Sequence, residues 1–134
     1  MKTILYVEDN AIVVQAYKGV LTRAGFNVDV ADDGLVAMKK LAMGTYDLIL
    51  LDLMMPKING TDVLKYIRTT PKLKPLPVIV LSDGTMADVA TLALTLGVQG
   101  TLLKSQCSPE ELIKMIRGVL GENGAPAATN PPAA

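Results

Sequence analysis

With 134 residues, half of them apolar but only 4% aromatic and none Trp, the chain has the length of one domain whose core must be built from Leu, Ile, Val, Ala and Met. Thirteen basic residues balance thirteen acidic ones, which removes the positive field of a generic nucleic-acid binder. The absence of His excludes a Ser-His-Asp triad, histidine acid-base catalysis and His-ligated zinc.

The run ILYV at 4–7 reads as a strand covered on both faces and leads directly into Glu8 and Asp9. A helix begins near Ala11, with Val13, Tyr17, Val20 or Leu21, and Ala24 on one face, and Gly25 ends it. Residues 26–31 alternate apolar and polar through Asn27 and Asp29, the pattern of an edge strand. Runs at 48–51, 78–81 and 101–103 predict three more strands covered on both faces, with Val63, Leu64 and Ile67 sharing a helical face between them and Gly97 ending a helix. The last helix is marked by Ser108 at its cap, Pro109 in its first turn and Glu111 completing a capping box, and its apolar face is Leu112, Ile113, Ile116, Val119 and Leu120.

Strands thus alternate with helices five times, which predicts an α/β fold: a three-layer α/β/α sandwich on a parallel sheet with right-handed crossovers. Residues 1–120 form the domain. Residues 121–134, made mostly of Gly, Asn, Ala and Pro without periodicity, are expected to be a disordered tail or a linker. Neither a GxxxxGK[ST] loop nor a GxGxxG turn follows any predicted strand, so the usual nucleotide-binding devices of such sheets are missing. No apolar run approaches membrane-spanning length, and Cys107 is the only cysteine, so no disulfide framework can form. A cytoplasmic protein with no membrane contact and no direct nucleic-acid binding is expected.

Polar residues stand where the central strands stop: Glu8 and Asp9 after the first, Asp52 after the third, Ser82 after the fourth and Lys104 after the fifth. Taken singly each has an ordinary explanation. Glu8 and Asp9 read as loop residues or as caps of the helix near Ala11; Asp52 reads as the start of a turn continued by Pro56 and Gly60; Ser82 reads as a loop hydroxyl and Lys104 as a solvated lysine. Together they converge on the carboxyl ends of parallel strands, where such sheets bind ligands. Two carboxylates about 4 Å apart repel by roughly 4 kcal/mol at an effective dielectric near 20. Three acids beside one lysine therefore make sense around a divalent cation, and oxygen ligands without His or Cys point to magnesium, with manganese as the alternative.

The set Glu8-Asp9, Asp52 followed by Pro56 and Gly60, Ser82 and Lys104 resembles the receiver domains of two-component response regulators, over about residues 2–120. The resemblance implies a flavodoxin-like five-stranded parallel sheet of order 2-1-3-4-5. It also implies that Asp52 is a phosphoacceptor, that Glu8, Asp9, Asp52 and the backbone carbonyl of Met54 hold Mg2+, that Lys104 pairs with a phosphoryl oxygen and that the Ser82 hydroxyl moves toward it. With no His of its own, the chain takes phosphate from a histidine kinase, a histidine phosphotransfer protein or a small acyl phosphate. A downstream protein would read the face of the fourth helix, fifth strand and fifth helix, roughly residues 86–120. Such a chain catalyses only its own phosphorylation and dephosphorylation.

Three positions depart from the family pattern: Thr101 stands where an aromatic switch residue is usual, Ser105 where proline is usual, and Asp83 where a small neutral residue is common. Two alternatives keep the fold but change the role: a pseudo-receiver that signals by docking alone, or a receiver cut from a longer regulator with an output domain. A dehalogenase-like phosphatase needs a second acid two residues after its nucleophile, where this chain has Met54.

Overall fold

The computed structural model describes residues 1–53, 60–82, 95–104 and 107–121, with the side chain of Ser82 outside that set. The elements are β1 (Thr3–Val7), α1 (Ala11–Arg23), β2 (Asn27–Ala31), α2 (Gly34–Met43), β3 (Leu48–Asp52), α3 (Gly60–Thr69), β4 (Val78–Ser82), β5 (Gly100–Leu103) and α4 (Pro109–Leu120). α4 is the helix placed fifth from the sequence; the expected helix after residue 86 falls largely outside the described residues. The strands form one parallel sheet of order β2-β1-β3-β4-β5, as the resemblance implied.

Period-two alternation sorts the strand side chains onto two faces. Leu5, Val7, Ile49, Leu51, Val78 and Val80 pack with Ala37 and Leu41 of α2 and Val63, Leu64 and Ile67 of α3. Ile4, Tyr6, Leu48, Leu50, Ile79 and Leu81 pack with Leu21 of α1 and Leu112 and Ile116 of α4. β1, β3 and the 78–81 run of β4 are covered on both faces, as their unbroken apolar runs predict. Truncating a fully buried side chain such as Leu50 to Ala costs roughly 2–5 kcal/mol.

β5 corrects the expectation of a strand covered on both faces. It lies at the sheet edge, Thr101 and Leu103 are exposed, and Leu103 keeps 38% of its surface in contact with solvent. Three residues are too few for alternation to show, so an edge strand reads like a central one. β2, the other edge, matches the alternating pattern seen in the sequence.

The helix ends follow local chemistry. The cap of α1 is Asn10 rather than Glu8 or Asp9: its side-chain oxygen accepts from the amides of Ile12 and Val13 at 3.0 and 3.2 Å. Gly25 follows α1 with φ at +102°, a conformation that costs a residue with a Cβ about 1–2 kcal/mol. The Ser108–Glu111 box caps α4 with two reciprocal bonds of 3.1 Å, and Gly121 closes it at φ +75°. At the amino ends of the last strands, the Arg68 guanidinium donates to the carbonyls of Lys74, Leu76 and Gly97, while Gln99 Oε1 accepts from the amide of Val78 at 2.7 Å. These bonds tie α3 to the starts of β4 and β5, and so hold the carboxyl ends of the strands level with one another.

Candidate functional site

β1 ends at Val7, and because Val7 pairs with Leu51, one further step brings Glu8 beside Asp52, the last residue of β3. Both side chains fall on the sheet face that carries Tyr6 and Leu50. Glu8 and Asp52 are each only 1% exposed, whereas Asp9 is exposed. One carboxylate oxygen from each of the three acids lies within 4.8 Å of the others. The cluster of acids expected from the sequence is therefore assembled, with two carboxylates inside the protein and one at the solvent boundary.

Lys104 follows β5 and reaches back into this cluster. Its Nζ stands 2.9 Å from Glu8 Oε1 and 3.1 Å from Asp52 Oδ2. The ammonium thus holds one oxygen of each buried carboxylate at once. Glu8 Oε2 accepts from the amide of Asn10 at 3.3 Å. Burial, and after it the charge of Asp52, push the Glu8 carboxyl up to about 7 against the pull of Lys104. Burial pulls the Lys104 ammonium down, but its contact with Glu8 and the charge of Asp52 outweigh that, and the net direction is up. The lysine thus offsets part of the repulsion between two buried carboxylates, and a divalent cation would offset more.

The donor set suits such a cation: three carboxylates, no nitrogen or sulfur ligand, and an exposed side at Asp9 through which bound water can remain. Gly60 bears on the same site from below. A Cβ there would fall on the Asp52 carbonyl oxygen and 2.6 Å from Leu53 Cα, so α3 can start this close to Asp52 only with glycine.

The remaining predicted positions divide. The backbone of Ser82 ends β4 opposite Leu103, the residue before Lys104, which puts it at the same rim; its hydroxyl lies outside the described residues. Met54, Pro56, Asp83 and Ser105 also lie outside them. Thr101 pairs with Val80 and is exposed. Two features went unread in the sequence. One is that Lys104 bridges Glu8 and Asp52. The other is Tyr6, the single aromatic residue in β1, which is fully buried, has no hydrogen-bond partner for its hydroxyl among the described residues, and packs edge-on against Tyr17 of α1 at 6.4 Å.

Residues 4–117 match the family described as the response regulator receiver domain, and the chain belongs to that family. It is 36% identical over 102 residues to the chemotaxis protein CheY-3 of Vibrio cholerae, an alignment covering 75% of this chain and 78% of that protein. It is 35% identical over 127 residues to the CpxR homolog of Haemophilus influenzae, a transcriptional regulatory protein, covering 95% of this chain and 54% of the other. Among solved structures, the phosphorylated cyanobacterial phytochrome response regulator RcpA superposes with a TM-score of 0.76 at 32% identity, covering 90% of this chain and 91% of that one. The chain spans about half the length of several curated relatives that it matches, 56% and 54% in two cases. It is a receiver domain of the two-component response-regulator type, a family whose members are in general not turnover enzymes. Among the described residues no helix is long and apolar enough to cross a membrane.

Proposed function

We propose that this receiver is a phosphorylation switch with Asp52 as its phosphoacceptor. The observation that carries this reading is the burial of the Asp52 carboxylate within 3.1 Å of Lys104 and in a three-carboxylate cluster with Glu8 and Asp9. An Asp52 oxygen attacks the phosphorus of a donor in line, the donor's leaving group departs on the opposite side, and an acyl phosphate remains on the protein. Glu8, Asp9, Asp52 and the carbonyl of Met54 would hold Mg2+, which when bound screens the repulsion between the anionic nucleophile and the anionic phosphate. Lys104 gives up its contact with Glu8 for a phosphoryl oxygen, and the Ser82 hydroxyl closes on the same group.

The chain has no His, so the phosphoryl group comes from outside, from a histidine kinase, a histidine phosphotransfer protein or a small acyl phosphate. Phosphorylation adds close to two negative charges at one strand end and biases the face of roughly residues 86–120, where a downstream protein docks. Residues 1–120 constitute the switch and residues 121–134 a tail or linker, in a protein of the cytoplasm. Borohydride reduction of the phosphorylated chain followed by peptide mapping tests the assignment. Homoserine at position 52 is expected, and homoserine at position 9 or elsewhere would overturn it.

A further inference from the structure

Tyr6 lies one pleat step from Glu8 on the same face of β1 and pairs across the sheet with Leu50, two residues before Asp52. It is fully buried, and among the described residues its hydroxyl has no hydrogen-bond partner. Leaving a buried hydroxyl unmatched costs about 1–3 kcal/mol, an expense that an aliphatic residue at this position would avoid. One step away Glu8 Oε1, an equally buried acceptor, is held by the Lys104 ammonium at 2.9 Å. A buried donor thus lies one same-face step along β1 from a buried acceptor that a movable ammonium supplies. Tyr17 meets the Tyr6 ring edge-on and donates from its own hydroxyl to the carbonyl of Cys107 at 3.5 Å, next to the cap of α4.

We infer that Tyr6 is a positioning residue of the acidic site, whose hydroxyl becomes the hydrogen-bond donor to Glu8 Oε1 when Lys104 leaves Glu8 for a phosphoryl oxygen. This rests on the phosphoacceptor reading above. The exchange keeps Glu8 oriented toward the metal position after its cation has gone, and it favours the switched state over the resting one. Through Tyr17 and Cys107 it also gives the site a mechanical link to α1 and α4 that does not need an aromatic residue at position 101. Thr101 is exposed on β5 and has no ring to move.

Tyr6→Phe removes one oxygen and leaves the ring in place. In the resting chain without metal, its urea midpoint stays equal or rises, because an unsatisfied hydroxyl is lost. Its apparent affinity for beryllofluoride in the presence of Mg2+ falls roughly tenfold, the loss of one hydrogen bond to a charged acceptor. The chain has four Tyr and no Trp, so near-ultraviolet difference spectra report tyrosine directly. A red-shifted difference band on adding Mg2+ and beryllofluoride is expected in the unmodified chain and in Tyr46→Phe and Tyr66→Phe, and is missing from Tyr6→Phe. Retention of both the affinity and the band in Tyr6→Phe overturns the role of Tyr6 while leaving Asp52 as phosphoacceptor. An unmodified chain with no response to beryllofluoride overturns both.

Discussion

Raising the pH from 5 to 8 should destabilise the metal-free protein, and the cause is Glu8. Its carboxyl is pushed from an ordinary value of 4.5 up to about 7, so the folded chain holds this proton more tightly than the unfolded chain does. Stability therefore falls with rising pH through the window from about 4.5 to about 7, where the folded state binds more protons. Each pKa unit is worth about 1.4 kcal/mol, which puts the full effect on the order of 3 kcal/mol. Lys104 adds no slope here, because its raised pKa keeps it charged in both states throughout this range. Magnesium should cancel the decline. It requires the deprotonated carboxylate, and at a hundred times its dissociation constant it contributes about 2.7 kcal/mol at pH 8 while competing with the proton at pH 5. Urea unfolding at several pH values, with and without Mg2+, measures both effects, with Glu8→Gln as the control whose metal-free profile is flat. Metal-free stability that is constant or rises between pH 5 and 8 would refute the reasoning.

Lys104→Ala should lower metal-free stability by about 3 kcal/mol, the low end for breaking a buried ion pair, yet raise Mg2+ affinity at pH 8 because the competing ammonium is gone; calorimetric titration showing weaker Mg2+ binding would contradict this. Gly60→Ala should cost roughly 1–3 kcal/mol by overpacking against Asp52 and Leu53 and should weaken Mg2+ binding by displacing Asp52. Native-like stability together with native Mg2+ affinity would show that the close approach is unimportant. Burial raises the Asp29 carboxyl, but hydrogen bonds from Lys40 and Tyr46, each 2.6 Å long, outweigh it and hold the group below its usual range. Its contribution is present above the ordinary carboxylate pKa of about 3.9 and is lost as pH falls through the lower folded value. At 39% exposure the pair is screened, so Asp29→Asn should soften the acid limb by less than about 1 kcal/mol; an acid-unfolding curve shifted by more would point to a deeper role.

The parts of the fold that could be read from the sequence are those where composition leaves one solution. The 4–7, 48–51 and 78–81 runs are apolar on both faces because the sheet is covered twice, and the Ser108–Glu111 box is a two-residue signal that needs no tertiary context. α2 gives little warning: in GLVAMKKLAM only Lys39 and Lys40 interrupt the apolar residues, so no polar face stands out. The α1 cap was misplaced at Glu8 or Asp9, because acids before a helix read as caps, whereas Asn10 stands directly before Ala11 and alone bonds the first-turn amides, with Glu8 drawn inward beside Asp52. The acids and Lys104 were legible as polar residues at strand ends. Their pairing was not, because which carboxylates a lysine reaches depends on strand register and on how far its side chain extends. Tyr6 was hidden by its neighbours, since an aromatic in an apolar strand reads as core, and only a buried hydroxyl without a partner among the described residues, one same-face step from Glu8, sets it apart.

The central claim is that Asp52 accepts a phosphoryl group with the help of a divalent cation, and intact-mass measurement after incubation with a small acyl phosphate tests it most directly. The chain should gain one phosphoryl group in the presence of Mg2+ and none when Mg2+ is chelated, and Asp52→Asn should gain none under either condition. Undiminished uptake by Asp52→Asn, or no uptake by the unmodified chain with Mg2+ present, would contradict the account.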